Sequence, residues 1–144
     1  MLSFFKKTRR QDPIFGSMLY VGDRSKYWEA KVKFAPTGSE IEIFVDGSAR
    51  DDMKQQHEFF KKLSEEWPSL REQVERILQV KSREMNPKSQ RVENQFRLSS
   101  ITIPKGSIDS AEWEISFSSA ACEHPFLYSV RMKGREPQLA VADD

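Results

Sequence analysis

Alternating apolar and polar positions near the start of the chain predict three β-strands. In residues 27–34, YWEAKVKF, every second position is apolar and most positions between them are charged, the period of a strand with one buried face. Residues 40–46, EIEIFVD, repeat this pattern, and residues 17–21 form a shorter, mixed run. Pro36 and Gly38 separate the two clear runs and suit a short hairpin loop. We therefore expect a hairpin preceded by one further strand.

The period then changes to that of amphipathic helices. Ser48 and Asp51 are spaced as in a capping box. Apolar side chains follow at helical spacing, with Phe59 beside them: Met53, Phe60, Leu63 and Trp67. Pro68 predicts the end of this helix, because proline disfavours helical geometry in the residue before it. Ser69 and Glu72 repeat the capping pattern and predict a second helix, whose apolar stripe is Leu70, Val74, Ile77 and Leu78. Trp67 is expected to anchor the core at the end of the first helix.

Strand periodicity returns in the last third of the chain. Residues 96–103, 112–117 and 126–133 each alternate apolar and polar side chains, after a polar loop over residues 83–95. The predicted order is βββ-αα-βββ, and separate runs of strands and helices indicate an α+β fold. We expect an antiparallel sheet of about six strands with two helices packed on one face and water on the other.

The chain is predicted to form one domain over residues 1–144. Residues 1–11 and 136–144 carry no sustained pattern and are expected to be loose termini, although Leu139 to Val141 could pair as an edge strand.

Composition and charge narrow the functional classes. The 144 residues are 38% hydrophobic and 31% charged, with a formal net charge of +1, so no strong field favours nucleic acid. A single cysteine excludes an internal disulfide and fits a reducing compartment. The apolar stretch of residues 2–5 is too short for a secretory signal, and no run approaches the roughly 20 apolar residues of a transmembrane helix. We expect a cytoplasmic protein.

Cys122 and His124 are the candidates for thiol chemistry. A catalytic thiol needs a lowered pKa and a base within hydrogen-bond reach, and such groups usually come from distant segments. Here both lie in one short segment ahead of Pro125, which we interpret as a turn before the last strand. The same two residues and His57 are too few for a zinc site, and Lys61 stands where a zinc-protease helix would carry its second histidine. We expect no metal and no cofactor.

Two pairs of carboxylates lie two residues apart on predicted strands: Glu40 with Glu42, and Glu112 with Glu114. A spacing of about 7 Å overlaps the separation in inverting glycosidases. Any exposed strand face with alternating glutamates has the same spacing, so we interpret both pairs as solvated. The chain has no glycine-rich phosphate loop and no nucleophile elbow. No catalytic or cofactor-binding residue is assigned.

Three short motifs resemble those of a known group of proteins. They are DPIFG at residues 12–16, Trp28-Glu29 on a strand, and Glu123-His124 before the last strand. Together they resemble a loose group of small uncharacterised bacterial α+β proteins, some of which are immunity or accessory proteins encoded near toxins. The resemblance implies an α+β fold and provides no catalytic residues.

The sequence predicts a non-enzymatic, cytoplasmic domain that binds another protein, of an immunity or accessory type. One alternative is an enzyme whose site is assembled from scattered acids and His57 or His124. The other is association of the basic amino terminus, around Lys6, Lys7, Arg9 and Arg10, with nucleic acid or a membrane surface.

Overall fold

One sheet and one long helix make up the fold in the computed structural model, which describes residues 8–22, 26–85, 96–119 and 127–143. The eight strands lie side by side in chain order. They are β1 (Arg9–Asp12), β2 (Gly16–Val21), β3 (Tyr27–Phe34), β4 (Ser39–Asp46), β5 (Phe96–Ile103), β6 (Glu112–Ser119), β7 (Leu127–Lys133) and β8 (Glu136–Asp143), and helix α1 (Lys54–Met85) lies between β4 and β5 in the chain. The predicted α+β class and mostly antiparallel sheet are confirmed.

The six predicted strands are confirmed as β2 to β7, and two more strands extend the sheet. Residues 9–12 form β1 and residues 136–143 form β8, so the prediction that both termini are loose is wrong for these segments. The alternative, that Leu139 to Val141 pair as an edge strand, is confirmed. Edge strands have only one neighbour, and their backbone hydrogen bonds require no clean side-chain alternation. In β8, Leu139 is 47% exposed although the strand pairs with β7 over most of its length.

One strand pair departs from the antiparallel arrangement. Strands β4 and β5 are parallel, with Ile43 opposite Ile101. Parallel neighbours require a long crossover, which α1 provides. The helix therefore joins two antiparallel halves into one continuous sheet.

The prediction of two helices is wrong, because α1 continues through Pro68. Its buried positions keep one helical phase on both sides of the proline: Gln56, Phe59, Leu63, Trp67, Leu70, Val74, Leu78 and Ser82. Pro68 itself is exposed. Packing of this uninterrupted stripe outweighs the local preference of proline, which removes one hydrogen bond and crowds the preceding turn.

The predicted capping box at Ser48 is also wrong. Helix α1 begins at Lys54, after a buried Met53 with a positive φ of 65°. The Asp51 carboxylate accepts a hydrogen bond from the Met53 N–H at 2.9 Å, and the Asp52 carboxylate accepts one from the Lys54 N–H at 3.1 Å. Two aspartates thus satisfy the backbone donors that lead into the helix.

Helix α1 packs on one face of the sheet. Trp67 is only 2% exposed, which confirms that it is buried, and its ring lies 5.2 Å from that of Phe34 on β3. Further along the sheet, Phe59 meets Trp113 on β6 at 5.1 Å. We call the opposite surface the open face; side chains at its centre are Tyr27, Glu29, Lys31, Phe44, Glu114 and Arg131. No helix in the described part of the chain is long and apolar enough to span a membrane.

Candidate functional site

The DPIFG segment forms a turn that attaches the β1–β2 hairpin to the helix. The carboxylate of Asp12 accepts hydrogen bonds from the backbone N–H groups of Ile14 and Phe15, at 2.9 and 2.8 Å. Gly16 follows with a φ of 72°, a conformation that favours glycine. The same carboxylate lies 2.8 Å from the Nε2 atom of His57 on α1. The motif therefore has a structural use in joining two elements.

The Asp12–His57 pair lies at the margin of the core. The Asp12 side chain is 1% exposed and that of His57 is 24% exposed. Burial raises the pKa of the Asp12 carboxyl, but the hydrogen bonds from the Phe15 and Ile14 backbone and from His57 outweigh it, so the net pKa lies below its ordinary value. The ring of Phe15 packs 5.2 Å from that of His57. These contacts hold the histidine in place.

His57 does not meet the predicted carboxylate pairs. It is on the helix side of the sheet, whereas Glu42 and Glu114 point to the open face. The only carboxylate paired with His57 among the described residues is that of Asp12. The structure therefore assembles one acid and one histidine, and does not bring the scattered acids to them. Cys122, His124 and the predicted turn around them lie outside the described residues.

Each predicted carboxylate pair faces cations on the neighbouring strand. On β3 and β4, Lys31 is opposite Glu42 and Lys33 is opposite Glu40. On β6 and β7, Glu112 is opposite Lys133 and Glu114 is opposite Arg131. None of these four cross-strand pairs forms a direct ion pair within the described ranges. The open face thus carries both signs of charge in close alternation, with side chains still available to a ligand.

Two aromatic side chains interrupt this charged surface. Tyr27 begins β3 and Phe44 lies near the end of β4, both half-buried on the open face. Their ring centroids are 6.1 Å apart and their planes meet at 74°. The Tyr27 hydroxyl lies 3.5 Å from a carboxylate oxygen of Glu29. Edge-to-face contact of this kind is a favourable aromatic geometry and makes a rigid apolar feature.

Three adjoining depressions cross the open face. The first, of about 430 Å³, spans β1 to β4 and reaches Phe44. The second, of about 390 Å³, lies between Tyr27, Phe44 and Glu112. The third, of about 580 Å³, extends from Thr102 and Glu112 to Arg131. Phe44 borders the first two depressions, and Thr102 and Glu112 border the last two; we call the three depressions together the trough.

A fourth depression lies beside α1, away from this trough. It measures about 420 Å³ and is lined by helix residues and by the β5–β6 loop, including Phe59 and Ile108. Its charged side chains include Lys62 and Glu58, which approach each other at 3.8 Å. It shares no lining residue with the trough on the open face.

Two ion-pair clusters fasten loops, one to the segment that precedes α1 and the other to α1 itself. Lys105 binds the Asp51 carboxylate at 2.6 Å. Burial raises the pKa of Asp51, but the hydrogen bonds from this lysine and from the Met53 N–H outweigh it, so the net pKa is lowered. Arg135 in the β7–β8 turn binds both Glu66 on α1 and Asp109 in the β5–β6 loop. These hydrogen bonds from Arg135 lower the pKa of both carboxyl groups. The charged groups of both clusters are therefore already paired within the protein.

The basic amino terminus is partly used by the fold. The Arg10 side chain donates to the backbone carbonyl of Asp51 and lies 6.0 Å from the ring centre of Trp28. Arg9 is exposed on β1 and borders the first depression. Lys6 and Lys7 lie outside the described residues. Within the described residues, no group of three or more His, Cys, Asp or Glu side chains is placed to hold a metal ion.

Sequence reasoning did not identify Tyr27 and Phe44 as site residues. One signal was present: in EIEIFVD, Phe44 occupies a position in the polar phase of an alternating strand. Tyr27 likewise falls in the polar phase of YWEAKVKF. An aromatic residue on the water-facing side of a strand is a candidate for binding. Their contact depends on the register of β3 and β4, which the sequence alone does not give.

Comparison of the chain with protein-family models, with curated proteins and with solved structures finds no match to any of them.

Proposed function

We propose that this protein is a non-enzymatic binding domain that docks another protein on the open face of its sheet. The observation that carries the proposal is the trough of three adjoining depressions around the Tyr27–Phe44 contact. Protein interfaces typically place aromatic residues at a buried centre and polar or charged residues around them. The open face has this arrangement.

The charges favour a protein over a nucleic acid as the partner. A nucleic-acid surface needs clustered cations that meet successive phosphates. Here the cations Lys31 and Arg131 are each opposite a carboxylate, Glu42 and Glu114 respectively. A protein surface of mixed charge can complement such a pattern, and the pairing of opposite signs then specifies the partner and its register.

The same charges disfavour the enzymatic alternative. A general acid among paired carboxylates needs burial that raises its pKa. Glu40, Glu42 and Glu112 are exposed, and cations lie opposite them. His57 lies on the other side of the sheet with Asp12 as its partner. A binding role requires no such convergence. The immunity or accessory type suggested by the sequence resemblance agrees with a protein partner.

A pull-down with matched variants tests this proposal. Tagged wild-type protein, Phe44→Ala and Val80→Ala are compared as baits in lysate of the cells that naturally produce the protein. Both substitutions truncate an apolar side chain, but Val80 is 56% exposed on α1, away from the open face. Thermal unfolding of each bait checks that it is folded.

We expect one protein to be retained by wild type and Val80→Ala and lost by Phe44→Ala. Truncation of an interface hot spot costs about 2 kcal/mol or more, roughly a 30-fold loss of affinity. A partner retained equally by all three folded baits, or lost only with Val80→Ala, would place the interface elsewhere.

A further inference from the structure

The middle depression of the trough is a pocket that combines aromatic walls with free carboxylates. Its aromatic side chains are Tyr27 and Phe44, and its acids are Asp46 and Glu112. The other described lining residues are Thr102, Ile103 and Pro104, so no lysine or arginine is among those that the structure describes there. The volume of about 390 Å³ is large enough for one long side chain.

The two carboxylates have no partner of their own in the described part of the chain. Neither the Asp46 nor the Glu112 side chain makes a hydrogen bond or ion pair there. Lys133 is opposite Glu112 in the sheet register but does not line the pocket. Lys105 is near Asp46, but its ammonium group is held by Asp51 at 2.6 Å. The negative charge of the pocket is therefore available to a cation from outside.

The aromatic rings add a second preference. Phe44 precedes Asp46 on β4, and Tyr27 is opposite Asp46 in register, so both rings and the Asp46 carboxylate lie at the same end of this strand pair. The rings meet at 74° and form two walls of a corner. A planar guanidinium group stacks on aromatic faces and binds carboxylates through its fork of N–H donors, whereas an ammonium group is more strongly hydrated.

We infer that this pocket receives an arginine side chain of the protein partner. The arginine stem lies along Phe44 and Tyr27, and its guanidinium donates to Asp46 and Glu112. This inference rests on the proposed function, since it names the group of the partner that the open face recognises. The positive charge required on the partner also follows, because none of the described residues that line the pocket is a cation.

The test uses a blocked tripeptide, acetyl-Gly-Arg-Gly-amide, as the probe and the same peptide with citrulline as its neutral isostere. Both are titrated into isotopically labelled protein, and amide chemical shifts are followed by NMR. We expect saturable shifts for the arginine peptide centred on Tyr27, Phe44, Asp46 and Glu112, with a dissociation constant on the order of 1–10 mM, as befits one anchor group. The citrulline peptide should bind at least about tenfold more weakly, because it cannot form charge-assisted hydrogen bonds.

Three variants with one carboxylate neutralised complete the test. Asp46→Asn and Glu112→Gln should each weaken arginine binding several-fold. Glu65→Gln should leave arginine binding unchanged. Glu65 is exposed on α1, so this substitution removes the same charge from a different surface. Equal binding of the two peptides, shifts spread away from the pocket, or equal weakening by Glu65→Gln would overturn the inference.

The two proposals fail in different ways. If the partner is lost with Phe44→Ala but kept with both Asp46→Asn and Glu112→Gln, the open face is the interface and the arginine assignment is wrong. If the arginine peptide binds the pocket but no partner depends on Phe44, the pocket stands and the proposed function is wrong.

Discussion

Replacing Pro68 with alanine should stabilise the protein by about 2–2.6 kcal/mol. Proline inside a helix is about 3 kcal/mol less favourable than alanine, because it has no N–H to donate and its ring crowds the preceding turn. Here that N–H would donate to the carbonyl of Ser64, four residues earlier in α1. Against this gain, proline restricts the unfolded chain by about 0.4–1 kcal/mol, which alanine gives up. Pro68 is exposed, so no core contact is lost.

Urea unfolding followed by tryptophan fluorescence measures this change. Ser69→Ala is the matched control, because Ser69 is the next exposed position of the same helix and its replacement changes only helix propensity, by about 0.5 kcal/mol. The midpoint of thermal unfolding should rise by about 4–10 °C for Pro68→Ala, at roughly 2–4 °C per kcal/mol.

Two results would refute the reasoning. An effect no larger than that of Ser69→Ala would indicate that residues on the two sides of Pro68 do not form one helix. A loss of stability would indicate that the contacts on both sides, Trp67 with Phe34 and Arg71 with the Phe96 carbonyl, depend on a bend at the proline.

Three further substitutions test the core, a turn and the buried acid. Asp12→Asn should make the free energy of unfolding depend less on pH in the acid range. The pKa of Asp12 is lowered in the folded protein, so the stability that its carboxylate contributes is present above the ordinary value of 3.8. That stability is lost as the pH falls through the lower pKa of the folded state. Urea titrations from about pH 3 to 7 measure this, and an unchanged slope would contradict it. Gly134→Ala should cost more stability in urea unfolding than Gly38→Ala. Both glycines have a positive φ (59° and 70°), but only at Gly134 would the added methyl lie 2.6 Å from a carbonyl oxygen, that of Asp109. Equal losses of stability would argue against this close approach. Trp67→Ala should cost about 3–5 kcal/mol in urea unfolding, and a loss below roughly 1 kcal/mol would be incompatible with a core position.

The strands were predictable where one face is buried and the other meets water. This holds for β3, β4, β6 and β7, whose side chains alternate between the core and the open face. It does not hold for β1, RRQD, or for β8, in which Gln138 and Leu139 are both exposed. At the edge of a sheet the backbone of one neighbour is enough to hold a strand, so the side chains leave no period to detect.

The prediction of two helices failed because the helix-breaking preference of one proline was given more weight than the continuous apolar stripe on both sides of it. Pro68 predicts a break, yet the apolar positions Leu63, Trp67, Leu70 and Val74 run through it at unchanged helical spacing. That phase was visible in the sequence. Burial of a continuous stripe against the sheet decides the structure, because packing contributes most of the stability of a helix in a protein.

The candidate site was predictable only as a surface. The alternation of β3 and β4 predicts a polar, water-facing side, and the glutamates were correctly placed on it. The contact of Tyr27 with Phe44, and that of Asp12 with His57, join residues far apart in the chain. Such contacts depend on strand register and on the docking of α1, which no short motif encodes.

Site-specific photo-crosslinking in the producing cells is the most direct test of the open face as a protein-binding surface. A photoreactive amino acid replaces Lys31, which is exposed on the open face, or Val80, which is exposed on α1. The first position should give one discrete adduct with another protein, and that adduct should disappear when Phe44→Ala is added. The Val80 position should not give that adduct. An adduct from Val80 alone, or an adduct from Lys31 that persists with Phe44→Ala, would contradict a partner docked on the open face.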